Sequence, residues 1–117
     1  METWGTRARS QPAPPRFVFE ALVDPNRHPE RSWLRLLDDE IPPEVLASTE
    51  YELVTWSSLW VKRPEAQIRF DIAAAGQGST LRWTLLDPED PGPAAVGHMR
   101  KRLNQLINAE LRFSFGQ

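Results

Sequence analysis

Between residues 66 and 86, apolar and polar side chains take turns along the chain. Ile68, Phe70 and Ile72 fall on one face of an extended segment, with Gln67, Arg69 and Asp71 on the other. After Gly76-Gln77-Gly78 the alternation resumes, with Leu81, Trp83 and Leu85 set against Arg82 and Thr84. A period of two bounded by glycines predicts two half-buried antiparallel strands. A two-residue loop at Gly76-Gln77, glycine first as a type II′ turn prefers, sets Ile72 opposite Leu81, Phe70 opposite Trp83 and Ile68 opposite Leu85. The same register places Asp71 opposite Arg82 on the solvent side, so apolar meets apolar and charge meets opposite charge. Residues 94–113 change period. Met99, Leu103, Leu106, Ile107 and Leu111 recur at helical spacing, while Arg100, Lys101, Arg102, Asn104, Asn108 and Arg112 take the other positions. This predicts an amphipathic helix about 30 Å long.

The rest of the chain is read with the same rules. Residues 51–62 form the strongest further strand, about 40 Å long at about 3.3 Å per residue and therefore bent, with Ser57-Ser58 as the bulge point. A three-residue loop over 63–65 would pair Trp60 with Ile68 and Trp56 with Ile72, which brings both tryptophans to the buried face and leaves Leu53, Leu59 and Val61 on the other. Residues 16–23, dominated by aromatic and β-branched side chains, read as a strand with Phe17, Phe19 and Ala21 on one face, stopped by Asp24-Pro25-Asn26. Residues 29–40 read as a helix: Pro29 suits a first helical position, Glu30 suits the positive helix end, and Trp33, Leu34, Leu36 and Leu37 form an apolar stripe. Residues 44–48 fit either a short strand or a helical turn. Pro12, Pro14 and Pro15 make residues 1–15 read as a flexible proline-rich leader, leaving 16–117 as a single domain.

Composition narrows the function classes. A chain of 117 residues is one domain's worth. It has no cysteine, which excludes disulfides, thiol catalysis and thiolate-bound zinc and agrees with a reducing, cytoplasmic setting. The net charge of −2 comes from acids and bases mixed along the chain, so nucleic acid is not an expected partner. No apolar run approaches the roughly 20 residues of a membrane span.

The order of these elements, and particular residues in them, resemble the START-like or Bet v 1-like superfamily (SRPBCC), which includes polyketide cyclase/dehydrase and Hsp90 ATPase activator-like domains. The matching pieces are Phe17-Val-Phe-Glu-Ala-Leu-Val-Asp-Pro25, Glu52-Leu-Val-Thr-Trp56, Gly78-Ser-Thr-Leu-Arg-Trp-Thr-Leu85 and the terminal helix with Arg102-Leu-Asn-Gln-Leu106. The resemblance covers most of residues 16–115. It implies an α+β helix-grip fold, a curved antiparallel sheet wrapped around the C-terminal helix, with an apolar ligand held between them. Only residues 26–50 fill the interval after the first strand in this reading, so the chain looks like a shortened member. Its cavity would then be smaller, open at one end, or completed by a second subunit.

Candidate chemistry is sparse. Trp56, Trp60, Phe70 and Trp83 on the sheet, with Met99, Leu103 and Leu106 on the helix, form either an aromatic-lined pocket for a small apolar molecule or an ordinary packed core. His28 and His98 could each serve as a general base, yet neither has a carboxylate or nucleophile partner at recognisable spacing. Asp38-Asp39-Glu40 reads as an acid/base or cation site, or as a solvated end. Arg100-Lys-Arg102 reads as an anion-holding group, or as the wet side of the helix. Gly76-Gln77-Gly78 is a hairpin turn and lacks the following Lys-Ser/Thr of a phosphate loop. No metal or cofactor is expected. The alternatives to ligand binding are a polyketide cyclase or dehydratase, for which His98 is the one nameable base, and an interaction module or homodimer, suggested by Leu53, Leu59, Val61 and Trp4 and by the edge strand that a trimmed sheet would leave.

Overall fold

A computed structural model of the chain describes residues 1–26 and 32–116. Five antiparallel strands form one sheet in the order β1-β5-β4-β3-β2. They are β1 (Glu2–Gln11), β2 (Val45–Thr49), β3 (Leu53–Ser57), β4 (Gln67–Ala75) and β5 (Gly78–Asp87). A short helix, α1 (Pro15–Val23), follows β1 and packs on β3, β4 and β5. The C-terminal helix begins as α2 (Pro93–Gln105), widens into a π-helical segment (Leu106–Leu111), and ends in one α-helical turn, α3 (Arg112–Ser114). The architecture is the α+β helix-grip: the sheet curves around this last helix, whose Met99, Leu103, Leu106, Ile107 and Leu111 are all buried.

The central hairpin has the register its alternation predicts. Ile72 faces Leu81, Phe70 faces Trp83, Ile68 faces Leu85 and Asp71 faces Arg82. Gly76 carries the positive φ (58°) at the first loop position, where a side chain would be strained.

Four sequence expectations are corrected. Residues 2–11 are a strand of the sheet, not part of a flexible leader. β1 pairs with β5 from Glu2↔Asp87 to Gln11↔Ser79, and the Trp4 indole donates to the Asp87 carbonyl at 3.1 Å. The prolines at 12, 14 and 15 lie just beyond the strand and start the next helix. Residues 16–23 are helical, not extended. Pro15 occupies the first turn, Val18 and Leu22, four apart, are its buried residues, and Phe17 is exposed. The helical stripe at i and i+4 overrides β propensity because the sheet offers an apolar surface to cover. Residues 32–40 contain no helix; the first part of the helix expected over 29–40 lies outside the described residues. The segment 44–48 resolves as β2.

The fourth correction concerns β3. It stops at Ser57, and Trp56 pairs with Ile68 rather than with Ile72. The Ser58 hydroxyl accepts from the Trp60 amide at 2.9 Å and donates to the Trp60 carbonyl at 3.2 Å. Such a local side-chain bond competes with the strand ladder, so the chain loops through 58–66 instead of turning at 63–65. Trp60 instead bridges to Glu40. Leu59, expected on the far face, is fully buried, while Val61 is exposed.

Indole N–H groups fasten the layers. The Trp33 and Trp56 indoles donate to the carbonyls of Ala21 and Leu22 at 3.1 and 2.8 Å, satisfying last-turn carbonyls of α1 that have no partner within the helix. The Trp83 indole donates to the Asn104 side-chain oxygen at 3.1 Å, joining β5 to α2. Gln11 donates to the Ile107 carbonyl at 3.3 Å, inside the π-helical segment.

Glu40 and Arg102 form a buried ion pair. Arg102 Nε and Nη2 donate to the two carboxylate oxygens at 2.8 and 2.7 Å, Nη2 also reaches the Arg35 carbonyl at 3.1 Å, and Nη1 reaches Gln105 Oε1 at 2.9 Å. Both residues are buried, so Arg102 is not on the wet side of the helix. Burial alone would push the Glu40 carboxyl up; hydrogen bonds from Arg102 and the Leu37 amide, together with the Arg102 charge, outweigh it and hold the pKa below the ordinary 4.5. The Glu40 hydrogen bonds raise Arg102 in turn.

Two measurements follow from this packing. A chain beginning at residue 13 lacks β1 and should lose more than about 10 °C in Tm, since roughly 4–8 °C accompanies each kcal/mol in a domain this size; a disposable leader would leave Tm unchanged. Glu40→Gln, which leaves the Arg102 charge without its counterion, should cost about 3 kcal/mol at pH 7 in urea unfolding. Because the folded pKa of Glu40 is depressed, its contribution is present above the unfolded value and is lost as pH falls through the folded one. The difference between wild type and Glu40→Gln should therefore narrow below about pH 4.5; a difference independent of pH would rule out this role.

Candidate functional site

Beside the core a cleft of about 360 Å³ opens between the chain that leaves β3 and the first turns of α2. Trp60, Val61 and the stems of Lys62 and Arg63 form one wall, Ala95, His98 and Met99 the other, and Asp39 stands at the end. Its placement follows from local chemistry. The Ser58 turn swings Trp60 and Val61 out of the strand, and the rigid Pro88-to-Pro93 connector, ending at Gly92 with φ 87°, starts α2 at the opposite wall.

The two walls differ in what is free to act. The Arg63 guanidinium is committed to Asp87, with Nε and Nη2 donating to its two oxygens at 3.0 and 2.8 Å, and it also reaches the Glu89 carbonyl at 3.2 Å. The hydrogen bonds to Asp87 raise the Arg63 pKa. Lys62 and His98 have no hydrogen-bond or ion-pair partner among the described residues. Trp60 is buried and its indole nitrogen has no well-formed hydrogen bond, although it lies close enough to Glu40 to help lower that carboxyl. The cleft therefore presents an apolar floor and a charged rim.

The structure divides the seven residues read as a ligand pocket. Trp60 and Met99 line the cleft. Trp56, Phe70, Trp83, Leu103 and Leu106 lie behind it, each at most 1% exposed. There Trp56 meets Phe70 edge-on at 4.7 Å and stacks on Trp33 at 6.0 Å. Sequence reasoning missed Val61 and Ala95 as cleft residues. Their signal was weak: Val61 looked like a strand position facing the wrong way, and Ala95 fell outside the apolar stripe. His98 stands at the cleft mouth, exposed, with no carboxylate or hydroxyl bonded to it. His28 lies outside the described residues. Of the acidic run, Asp39 reaches the cleft and Glu40 is spent on Arg102.

No family model matches the chain, and no curated protein is significantly similar to it in sequence. Solved structures match it in shape. The Aha1 dimer from Colwellia psychrerythraea is similar at a TM-score of 0.71 and 12% identity, over 96% of this chain and 94% of that one. CalU16 from Micromonospora echinospora is similar at 0.63 and 19%, over 90% and 73%. Ara h 8.0201 is similar at 0.56 and 16%, over 97% and 96%. The likeness in shape to these structures shows the fold, an α+β helix-grip.

Proposed function

We propose that the protein binds a small apolar molecule, of lipid or polyketide type, in the cleft between Trp60 and α2. The observation that carries this reading is the apolar surface of Trp60, Val61, Ala95 and Met99 gathered around a space within the size range of small-molecule sites. The aromatic cluster of Trp56, Phe70 and Trp83 acts as the rigid wall behind it. A cyclase or dehydratase reading has less support, because His98 is exposed and nothing positions it.

A second reading, self-association, is favoured by a separate observation. All five residues of the edge strand β2 are exposed, Val45 and Leu46 among them, and Leu37 and Ile41 add apolar surface nearby. A bare apolar edge invites a further strand, and one structure of similar shape is itself a dimer.

The cleft is tested by titration with a fluorescent anilinonaphthalene dye and a panel of fatty acids. Saturable one-to-one binding is expected. Val61→Glu, at a position 63% exposed, should leave Tm unchanged and weaken binding about tenfold, the loss of roughly 1.4 kcal/mol of apolar contact; no saturable binding to the folded protein refutes the reading. For the edge, light scattering after size exclusion should report a dimer that Leu46→Lys converts to monomer. A wild-type monomer at high concentration would refute self-association.

A further inference from the structure

On the other flank of α2 lies an open groove of about 550 Å³ whose walls are cationic. Period two sends Gly5, Arg7, Arg9 and Gln11 of β1 to the side of the strand that faces the C-terminal helix. Gln11 is bonded to the helix there, and Arg7 and Arg9 line the groove. The helix answers with Arg100 and Lys101. Four cations thus converge on one concavity. None of them makes an ion pair with a described residue, and no acidic side chain lines the groove.

The arrangement has a built element. A methyl group on Gly5 would sit 2.9 Å from Cγ and Cδ of Arg100, so the bare backbone at Gly5 is the seat for the Arg100 stem. The register slips between Thr3 and Gly5, and such bulges re-aim neighbouring side chains. An inward-pointing charge on an edge strand can serve only to block sheet-to-sheet pairing. That role requires no second set of cations on the opposing helix, where like charges facing across a groove raise the energy of the empty protein.

We propose that this groove is a binding site for a small phosphorylated molecule carrying at least two negative charges. Arg7 and Arg9 would hold one side of it, and Arg100 and Lys101 the other. Guanidinium groups suit phosphate oxygens because they donate in pairs. A small anion is favoured over nucleic acid because the four cations face one another across a single groove. The exposed arginine on β4, Arg69, is paired with Asp71 at 3.0 Å, and the chain as a whole carries a net charge of −2. The site is separate from the apolar cleft and does not depend on it.

The experiment is calorimetric titration of the full chain with inorganic pyrophosphate, with orthophosphate and a single-stranded oligonucleotide as comparisons. One-to-one binding of pyrophosphate, tighter than orthophosphate and weakening with added salt, is expected. Arg9→Gln and Arg100→Gln should each weaken it at least fivefold, Gly5→Ala should weaken it by displacing Arg100 while every cation is kept, and Arg69→Gln and Val61→Glu should leave it unchanged. Pyrophosphate should also raise the Tm of wild type and not that of the Arg9→Gln/Arg100→Gln double variant. Absent or non-saturable binding overturns the proposal, as does binding indifferent to Arg9 and Arg100. Tighter binding of the oligonucleotide than of pyrophosphate overturns it in favour of a nucleic-acid surface.

Discussion

The C-terminal helix is apolar along a single stripe, and the burial of that stripe against the sheet decides where everything else can go. Met99, Leu103, Leu106, Ile107 and Leu111 are essentially removed from water, each contributing on the order of 2 kcal/mol of hydrophobic free energy. Fixing the stripe fixes the rotation of the helix about its axis. Ala95 and His98 are then turned toward the Trp60 wall, while Arg100 and Lys101 are turned toward β1. The two grooves are thus two consequences of one orientation, one bounded by the loop after β3 and the other by β1.

Directional bonds make that orientation unique. Apolar contact alone tolerates sliding, whereas the Glu40–Arg102 pair and the Trp83–Asn104 bond each tie one side of the helix to a particular residue of another segment. A buried ion pair adds little net stability against an apolar substitute. Its effect here is positional, because Glu40 also bridges to Trp60 and accepts from the Leu37 amide. The cleft wall, the preceding loop and the helix therefore share one polar junction.

How much of this was legible in the chain varies with the physics involved. The β4–β5 hairpin could be read to the residue because one side of it faces the core, so a slip by one position would expose Phe70 and Trp83 and bury Asp71 and Arg82. The helix stripe was legible for the same reason. β1 was not, because it is an edge strand with only Gln11 buried; main-chain bonds to β5 hold it, and these leave no hydrophobic alternation. α1 was misread because Phe17, Val18 and Phe19 suit a strand in isolation, and only the apolar sheet beneath turns Val18 and Leu22 into a helical face. Of the residues that line the cleft, Trp60 and Met99 stood out in the sequence by their bulk. The departure of the chain at Ser58, which creates the cleft, depends on one hydroxyl bonding two residues ahead. The cationic groove was legible only in half. Arg100 and Lys101 stood out as a run, while Arg7 and Arg9 were assigned to a leader and could not be placed opposite them.

The pairing of β1 with β5 also bears on how the molecule reaches its folded state. Trp4 and its acceptor Asp87 are 83 residues apart, and Arg112 donates to the Ser10 carbonyl across 102. A segment whose every partner lies so far along the sequence gains nothing from local structure until the intervening chain has collapsed, and loop closure on that scale slows assembly. The β4–β5 hairpin, closed by two residues, is suited to form early, and β1 to join late. During that interval the β5 edge that β1 will cover stands open to strands of other chains.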